Sequence, residues 1–432
     1  NLFSISQVGQ HLGSLEYLLP YEYVDTLKIL HSKAPKSPLQ DIYSVIRHEF
    51  KKEPSELFSE FEAEPLGAAS LAQVHKARLK DGREVAVKVQ HPSVLDHSNV
   101  DIKGMEVLVN MVSRLFPDFH FEWLVEETRR NLPMELDFRN EGKNAERVAS
   151  MFEHVSWLKV PSIDWSLTTT RVLTMEFCEG GQVNDLEYLL AKKIDCLEVS
   201  RKLGDLYSEM IFVNGFVHCD PHPGNILVNK AGKHAHLVLL DHGLYTTLSE
   251  QFRLTYGQLW QSILNADLKE VEAGARKLGL GELYGLFACM VTGRSWDSIA
   301  KGIGKEQITA LEAEQIKGDA AKYLPEIAEV LNRVPRQMLL IFKTNDLLRG
   351  IEHSLNTHKS MKSFIQMSRC CLRAVYEQRR RDCPSRWCIL QTHFAETFAQ
   401  FKLTLYTLYL WIIKIPTVRI DIFYYLGYSQ AS

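Results

Sequence analysis

The chain has 432 residues, of which 45% are hydrophobic and 24% charged, and its formal net charge is −3. This length allows two or three domains and a substantial core. The near-average composition argues against a disordered or multi-span membrane protein, and the slightly negative charge gives no general attraction to nucleic acid. A globular enzyme is compatible with these numbers.

The cysteine pattern bears on the compartment. The eight cysteines include no C-x-x-C pair, which argues against a disulfide framework or a zinc ribbon and favours a reducing compartment. Because the sequence begins at Asn1 rather than methionine, we expect that the natural N-terminus is missing, so a targeting leader cannot be judged.

Residues 1–58 are predicted to form a helical N-terminal extension. Leucines and aromatic residues recur at helical spacing from Gln10 to His31, and the pattern repeats over residues 39–58. After residue 58 the apolar period changes to that of strands, which indicates the start of a different domain.

The stretch VHKARLKDGREVAVKV (residues 74–89) predicts a β-hairpin, because two strand-like runs flank Asp81 and Gly82. Side chains alternate along a strand, so Ala86 and Lys88 share one face while the valines of the second strand share the other. Lys88 would then lie beside a small residue on one side of a sheet. The alternative is an edge-strand lysine that faces water.

The remaining chain predicts mostly helices. Apolar spacing indicates helices over residues 101–116 and 122–152, a buried strand over 170–177, and helices over 196–214 and beyond about residue 249. A Glu-Gly-Gly sequence makes residues 178–182 a flexible connector. We expect an α+β fold of two lobes, with an extension over 1–58, a main domain over 59–290 and a helical region over 291–432. Clefts between lobes are common ligand sites.

An apolar run, LTLYTLYLWII (residues 403–413), lies near the C-terminus between Lys402 and Lys414. A bilayer span needs about 20 apolar residues, so this run predicts a buried helix or strand, or an interfacial segment whose lysines reach the headgroups. Peripheral membrane contact is therefore one candidate interaction. The basic cluster at residues 379–381 is predicted to be a solvated face.

The segment GFVHCDPHPGNILV (residues 215–228) concentrates chemically versatile side chains. As a zinc site, it lacks the second pair of ligands that structural zinc requires. As a nucleophile with its base, Cys219 and the neighbouring histidines offer only adjacency, and adjacent loop residues seldom face each other. The third interpretation is the catalytic loop of a phosphoryl-transfer enzyme, because Asp220 and Asn225 have the spacing of H-R-D-x-x-x-x-N.

Two apolar runs follow Asn225 and predict a hairpin that turns near Gly232. The hairpin would return the chain to Asp241, in the sequence LLDHGLY, so an amide oxygen and a carboxylate would meet at one sheet edge. Mg²⁺ prefers such hard oxygen ligands and takes the rest from phosphate and water. Asn225 and Asp241 are therefore the predicted metal ligands for Mg-ATP.

Lys88 fits the same interpretation. Kinases place a lysine on a strand written V-A-x-K, where it holds the α/β-phosphates and is itself held by a helix glutamate. The sequence VAVK at residues 85–88 matches this pattern. Ala86 lies on the face of the lysine, where an adenine would bind.

Taken together, these motifs resemble the UbiB/aarF-domain family of atypical, protein-kinase-like proteins, and within it the mitochondrial branch. The resemblance covers about residues 1–290, through VGQ, PLGAASLAQVHKA, VAVKVQHP, ELDF, HCDPHPGNILV and LDHGLY. It implies a two-lobed protein-kinase-like fold and an N-terminal extension that packs over the active site. It further implies ATP or ADP with Mg²⁺ as cofactors, and a role in mitochondrial lipid or quinone homeostasis.

The resemblance also implies roles for individual residues. The E-x-D motif of the family corresponds to Glu135 and Asp137, both expected near the nucleotide, and its lysine-pairing glutamate falls on Glu141. The K-x-G-Q motif ends at Gln10, another expected nucleotide contact. Its first position is Gln7, so a neutral hydrogen-bond donor replaces the lysine of the family.

An alanine-rich loop replaces the glycine-rich loop of kinases in this family, and LGAAS matches it, so Ala68, Ala69 and Ser70 are candidate nucleotide contacts. A methyl group in place of a hydrogen limits close backbone approach to phosphates, so the phosphate cradle should differ from that of a protein kinase. Glu176, in the strand before the connector, is a further candidate.

Two departures from the protein-kinase pattern bear on the acceptor. Cys219 replaces the arginine that pairs with a phosphorylated activation loop. After Gly243 the chain passes almost directly into the helical sequence LSEQFR, without an A-P-E element. A conventional peptide acceptor is therefore not expected.

The leading hypothesis is an Mg-ATP-dependent atypical kinase or ATPase with Asp220, Lys88 and Glu141 as catalytic residues. Its partners would be a nucleotide and a lipid- or quinone-related small molecule. The alternative is a nucleotide-binding pseudokinase or scaffold that regulates partners without phosphoryl transfer.

Overall fold

A computed structural model describes residues 36–69, 71–92, 94–115, 122–292, 294–301, 324–357 and 362–413. The strands are β1 (Phe58–Phe61), β2 (Gly67–Ala68), β3 (Ala72–Leu79), β4 (Glu84–Gln90), β5 (Leu158–Lys159), β6 (Val172–Glu176), β7 (Gly181–Gln182), β8 (Phe216–His218), β9 (Ile226–Ala231), β10 (His234–Leu239) and β11 (Tyr245–Thr247). The first helices are α1 (Leu39–Phe50), α2 (Pro54–Leu57), α3 (Val94–Leu115), α4 (Glu122–Glu135), α5 (Phe138–Met151), α6 (Leu186–Ala191), α7 (Cys196–Ser208), α8 (Glu250–Leu264) and α9 (Leu268–Lys277). They are followed by α10 (Tyr284–Thr292), α11 (Trp296–Lys301), α12 (Leu324–Arg333), α13 (Arg336–Ser354), α14 (Lys362–Arg381) and α15 (Arg386–Ile413).

The N-terminal lobe is built on an antiparallel sheet in the order β1-β3-β4-β6, with β2 paired to β3. The predicted hairpin is confirmed as β3 and β4, whose turn contains Gly82 at a φ of 90°, a conformation that glycine adopts without strain. The valines of β4 pack with α1 residues in one buried cluster. Because side chains alternate, this packing directs Lys88 to the opposite face of the sheet, toward the second lobe.

One predicted helix is in fact two. The apolar spacing had indicated a continuous helix over residues 122–152, whereas α4 ends at Glu135 and α5 begins at Phe138. Asp137 has an extended backbone and caps α5 by accepting a hydrogen bond from the Arg139 N–H at 3.1 Å. A side-chain cap of this kind satisfies a backbone donor that a continuous helix would not leave free.

The second lobe contains a sheet in the order β5-β10-β9-β7 and the two-stranded pair β8-β11. Its core also includes α13 and α14, through buried residues such as Ile341, Phe342 and Cys371. The boundary between residues 290 and 291 stays a prediction, and buried residues on both sides of it belong to one hydrophobic cluster. Helices α11 to α14 contribute buried residues to the same core as the strands next to the catalytic loop.

The contact between α8 and α14 offers a stability test of this continuity. A Cβ at Gly257 would lie 2.8 Å from Val375 Cγ2 and 3.6 Å from Cys371 Sγ. Gly257→Leu is expected to lower the melting temperature by several degrees, because overpacking a core costs about 1–3 kcal/mol. Gly350→Leu is the control, since Gly350 is an exposed helical glycine with no atom near its absent Cβ. Equal melting temperatures for the two variants would contradict the tight packing of α8 on α14.

The C-terminal apolar run is helical but not buried. It forms the end of α15, along which large apolar side chains recur every three or four residues and are between 45% and 70% exposed: Trp387, Leu390, Phe394, Phe398, Phe401, Leu405 and Leu408. Among the described residues, no helix is long and apolar enough to cross a bilayer. The expectation of a buried segment is thus wrong for the side chains that the structure describes.

The turn between α14 and α15 contains a disulfide between Cys383 and Cys388, which the cysteine spacing did not predict. The basic cluster before this turn was predicted to be a solvated face, but two of its arginines form ion pairs with glutamates. Arg380 forms an ion pair with Glu396, and Arg381 pairs with Glu377 at 3.0 Å.

Candidate active site

Lys88 is the centre of a three-residue ion cluster between the lobes. Its Nζ lies 2.8 and 2.9 Å from the two carboxylate oxygens of Glu141, on α5, and 2.8 Å from Oδ2 of Asp241, after β10. The side chains of Lys88 and Glu141 are 13% and 4% exposed. The structure therefore brings together three of the predicted site residues, which are separated by up to 153 positions in the chain.

The electrostatics of the cluster follow from burial and mutual attraction. Burial disfavours a charged lysine, but the carboxylates of Asp241 and Glu141 overcome this effect and raise the pKa of Lys88. Burial also acts against a charged Asp241, yet Lys88 and the Gly243 N–H hold the pKa of Asp241 well below its usual value. Burial, together with the nearby charge of Asp241, raises the pKa of Glu141 to about 7.

The predicted catalytic loop runs from β8 to β9. The side-chain amide of Asn225 donates to the Asp220 carbonyl at 3.0 Å and lies 3.4 Å from Asp220 Oδ2. With the nitrogen of the amide engaged, its oxygen is the atom available to a cation. His222 caps the short turn between the two residues, since its Nδ1 accepts from the Gly224 N–H at 3.1 Å.

The predicted hairpin after Asn225 is confirmed as β9 and β10, which pair in register from Ile226 with Leu239 to Ala231 with His234. The Leu240 N–H donates to the Asn225 carbonyl at 2.9 Å, so the amide residue and Asp241 lie at the same end of the hairpin. The Gly243 N–H then donates to Asp241 Oδ1 at 2.8 Å and fixes that carboxylate.

The other reactive-looking residues of this segment have structural roles. Cys219 is fully buried, and burial raises the pKa of its thiol to about 12, which leaves it unreactive. Buried His218 has Nδ1 at 2.8 Å from the Tyr207 hydroxyl. Burial lowers the pKa of His242 to about 3, so this histidine is a neutral core residue. Within the described residues, no group of three or more His, Cys, Asp or Glu side chains could hold a metal ion.

Lys343 is the site residue that the sequence did not reveal. It projects from α13, and its Nζ lies 3.0 Å from Oδ1 of Asp220, with 15% of its side chain exposed. Burial favours a neutral carboxyl, but the charge of Lys343 outweighs it and lowers the pKa of Asp220. The available signal was an isolated lysine between buried apolar residues, in MLLIFKT, a position where lysine is rare unless it has a partner.

The two carboxylates of the E-x-D motif differ in their surroundings. Burial raises the pKa of Glu135 to about 7, while the charge of Lys343 opposes the shift and that of Asp220 adds to it. Asp137 instead caps α5 and forms an ion pair with Arg139 at 2.9 Å. A nucleotide contact from Asp137 stays a prediction.

The remaining candidate nucleotide contacts lie around β2, β4 and β6. Ala68 pairs with β3, and the Ala69 carbonyl accepts from the His91 ring at 3.0 Å if Nε2 carries the proton. Ala86 is buried in β4 opposite Met175. Glu176 is engaged with Lys159 at 2.6 Å and with Ser162. Gln7, Gln10 and Ser70 lie outside the described residues.

The fold and the site together define a protein-kinase-like protein. The fold is α+β with two lobes, and the site contains a lysine held by a helix glutamate, a loop aspartate with an asparagine five residues later, and an aspartate after a hairpin. The family model of the ABC1 atypical kinase-like domain matches residues 29–274, and the chain belongs to that family.

Curated relatives agree with this membership. The chain is 57% identical over 409 residues to AarF domain-containing protein kinase 1 of Gallus gallus, an alignment that covers 94% of this chain and 79% of the relative. The protein of the same name from Mus musculus is 58% identical, with 96% and 79% covered. AarF domain-containing kinase 1 of Drosophila melanogaster is 53% identical, with 94% and 80% covered.

A solved structure is similar in fold. It is the complex of Rv3197 with erythromycin from Mycobacterium tuberculosis, with a TM-score of 0.53, 20% sequence identity, and coverage of 84% of this chain and 92% of the other.

Proposed function

We propose that this protein is an Mg-ATP-dependent atypical kinase or ATPase. The observation that carries the proposal is the position of Lys88, bound at 2.8 Å both by Glu141 from the first lobe and by Asp241 from the second. In this role Lys88 holds the α/β-phosphates, Glu141 orients Lys88, and Asp220 orients or deprotonates the attacking hydroxyl.

The charge balance of the cleft supports a divalent cation. The cleft contains more carboxyl than ammonium groups: Glu135, Glu141, Asp220 and Asp241 against Lys88 and Lys343. Because burial raises the pKa values of Glu135 and Glu141 to about 7, a bound divalent cation would favour their ionised forms. Asn225 and Asp241 would hold Mg²⁺ through one amide and one carboxylate oxygen. Such a small protein contribution is typical of sites that bind the metal together with phosphates and water.

The acceptor in this proposal is not a conventional peptide. In the fully described segment after Gly243, β11 pairs at once with β8, and Ser249 caps α8 by accepting from the Phe252 N–H. This leaves little chain for a surface that would bind a substrate peptide. A lipid- or quinone-related small molecule, in a mitochondrial setting, is the acceptor class that the family resemblance favours.

The proposal predicts a nucleotide response of the wild-type protein. ATP or ADP with Mg²⁺ should raise the melting temperature, because a ligand at 100 times its Kd stabilises by about 2.7 kcal/mol. The measurement is a thermal shift, followed by ADP release with and without lipid vesicles or a soluble quinone analogue. If no nucleotide raises the melting temperature, the kinase and pseudokinase assignments are both wrong.

A nucleotide-binding pseudokinase is the second candidate. It is favoured by the state of Asp220, whose carboxylate is already engaged by Lys343 at 3.0 Å and lies near the Asn225 amide. In this case the protein would bind Mg-nucleotide and show no ADP release under any acceptor condition. The two candidates therefore differ in turnover and agree in binding.

A further inference from the structure

Lys343 comes from outside the part of the chain that the family model matches, yet it lies at the catalytic loop. Helix α13 begins after Pro335 and is fixed in the second lobe by Met338, Ile341 and Phe342, which are 2% exposed or less. This anchoring holds the lysine on the remaining face of the helix, with its Nζ 3.0 Å from Asp220 Oδ1.

The catalytic loop has no permanent positive charge of its own. Cys219 occupies the arginine position and is buried and neutral. His222 is occupied in capping the turn, and burial lowers its pKa. Lys88 is already bound by the carboxylates of Glu141 and Asp241. Lys343 is thus the cation that the described residues place against Asp220.

We propose that Lys343 is a catalytic-site cation, supplied in cis by the C-terminal helical region, that contacts the transferred phosphoryl group and positions Asp220. The inference rests on the proposed kinase or ATPase function. It assigns to residues beyond 290 a direct part in the reaction.

Phosphoryl transfer would be assisted by a positive charge beside Asp220. Asp220 accepts the proton of the attacking hydroxyl group. The hydroxyl oxygen bonds to the γ-phosphorus, while the bond between that phosphorus and the bridging oxygen breaks and ADP leaves. Negative charge spreads over the phosphoryl oxygens in this transition state, and a cation in contact with them lowers the barrier. An ammonium group has three N–H donors, so Lys343 can hold Asp220 and still donate to a phosphoryl oxygen.

A competing role for the same contact is a latch that keeps Asp220 from the acceptor. The location of the pair favours the catalytic role, because 37% of the Asp220 side chain stays exposed to the cleft while Lys343 binds one of its oxygens. A latch would instead have to be broken before turnover, so its removal would increase the rate.

The test compares Lys343→Met, Lys343→Arg and a control, Lys202→Met, in the full chain. Lys202 is also a buried lysine in an ion pair, at 2.8 Å from Glu198, but it lies against the turn end of the β9-β10 hairpin, away from the site. The readouts are kcat for ADP release, the melting temperature, and the difference in thermal shift between a non-hydrolysable ATP analogue and ADP.

Lys343→Met is expected to lower kcat at least about tenfold, a modest loss beside the roughly 10³–10⁵ that an arginine finger contributes. Lys343→Met should also reduce the difference in thermal shift between the ATP analogue and ADP. Lys343→Arg should recover part of kcat and part of this difference. Lys202→Met should lower the melting temperature without altering either catalytic readout.

An unchanged kcat in Lys343→Met would overturn the inference while leaving the proposed function intact, and a raised kcat would show the latch instead. Wild-type protein that binds nucleotide without any turnover would overturn both the inference and the enzymatic proposal.

Discussion

Replacing Asp241 with asparagine is expected to abolish the magnesium-dependent part of nucleotide binding. Asp241 is the anionic member of the proposed metal pair, and it also holds Lys88 at 2.8 Å. The amide would keep the shape but lose the charge that Mg²⁺ prefers in its ligands. The measurement is the difference in thermal shift with and without Mg²⁺ at saturating ADP. With Mg²⁺ at 100 times its Kd this difference corresponds to about 2.7 kcal/mol in the wild type, and it should disappear in the variant.

Two further variants make this result specific. Lys88→Ala should weaken binding of both ATP and ADP, since it removes the α/β-phosphate contact and leaves Glu141 without its partner. Glu198→Gln is the matched control, because Glu198 is also a carboxylate paired with a buried lysine but lies at the opposite end of the β9-β10 hairpin. A full magnesium response in Asp241→Asn would mean that the metal site lies elsewhere.

Replacing Asp220 with asparagine is expected to reduce turnover by roughly 10²–10⁴-fold, the usual contribution of a positioned general base. Nucleotide binding should persist, because Asp220 contacts neither Lys88 nor Asp241 in the structure. The readout is kcat for ADP release beside the nucleotide-dependent thermal shift of the same preparation. The substitution also leaves the charge of Lys343 without its carboxylate partner. The melting curve of the variant therefore serves as the check that it is folded.

The outcome of this substitution separates enzyme from pseudokinase. Loss of turnover with binding retained assigns the chemistry to Asp220. Turnover that survives in Asp220→Asn would exclude it as the base and point to another carboxylate of the cleft, such as Glu135 or Glu141, whose pKa values burial raises to about 7.

Local sequence spacing predicted much of the fold and several of the residues that the structure brings together in the candidate site. Both hairpins follow from turn residues between strand-like runs. The first hairpin carries Lys88, and Asp241 follows the second. The partner glutamate came from the resemblance to the family, because nothing in the spacing around Glu141 distinguishes it from other helix carboxylates.

The elements that sequence reasoning missed depend on long-range packing or on a single side chain. The break between α4 and α5 depends on the cap at Asp137, which interrupts an otherwise helical apolar pattern. Lys343 lies 123 residues after Asp220, and no local pattern relates them, because only the packing of α13 on the second lobe brings them together. The exposure of the apolar face of α15 likewise depends on whether other elements of the fold pack against it, which the local sequence does not indicate.

The inclusion of α13 and α14 in the core also fixes when the protein can acquire its structure during synthesis. At 5–20 residues per second, the ribosome needs roughly 6–25 s to extend the chain from Asp220 to Lys343. Throughout that interval the strands around the catalytic loop lack Ile341, Phe342 and the other buried side chains that complete their core. The nascent second lobe therefore presents an unfinished apolar surface, and nucleotide cannot stabilise it through the complete cleft until most of the chain has left the ribosome.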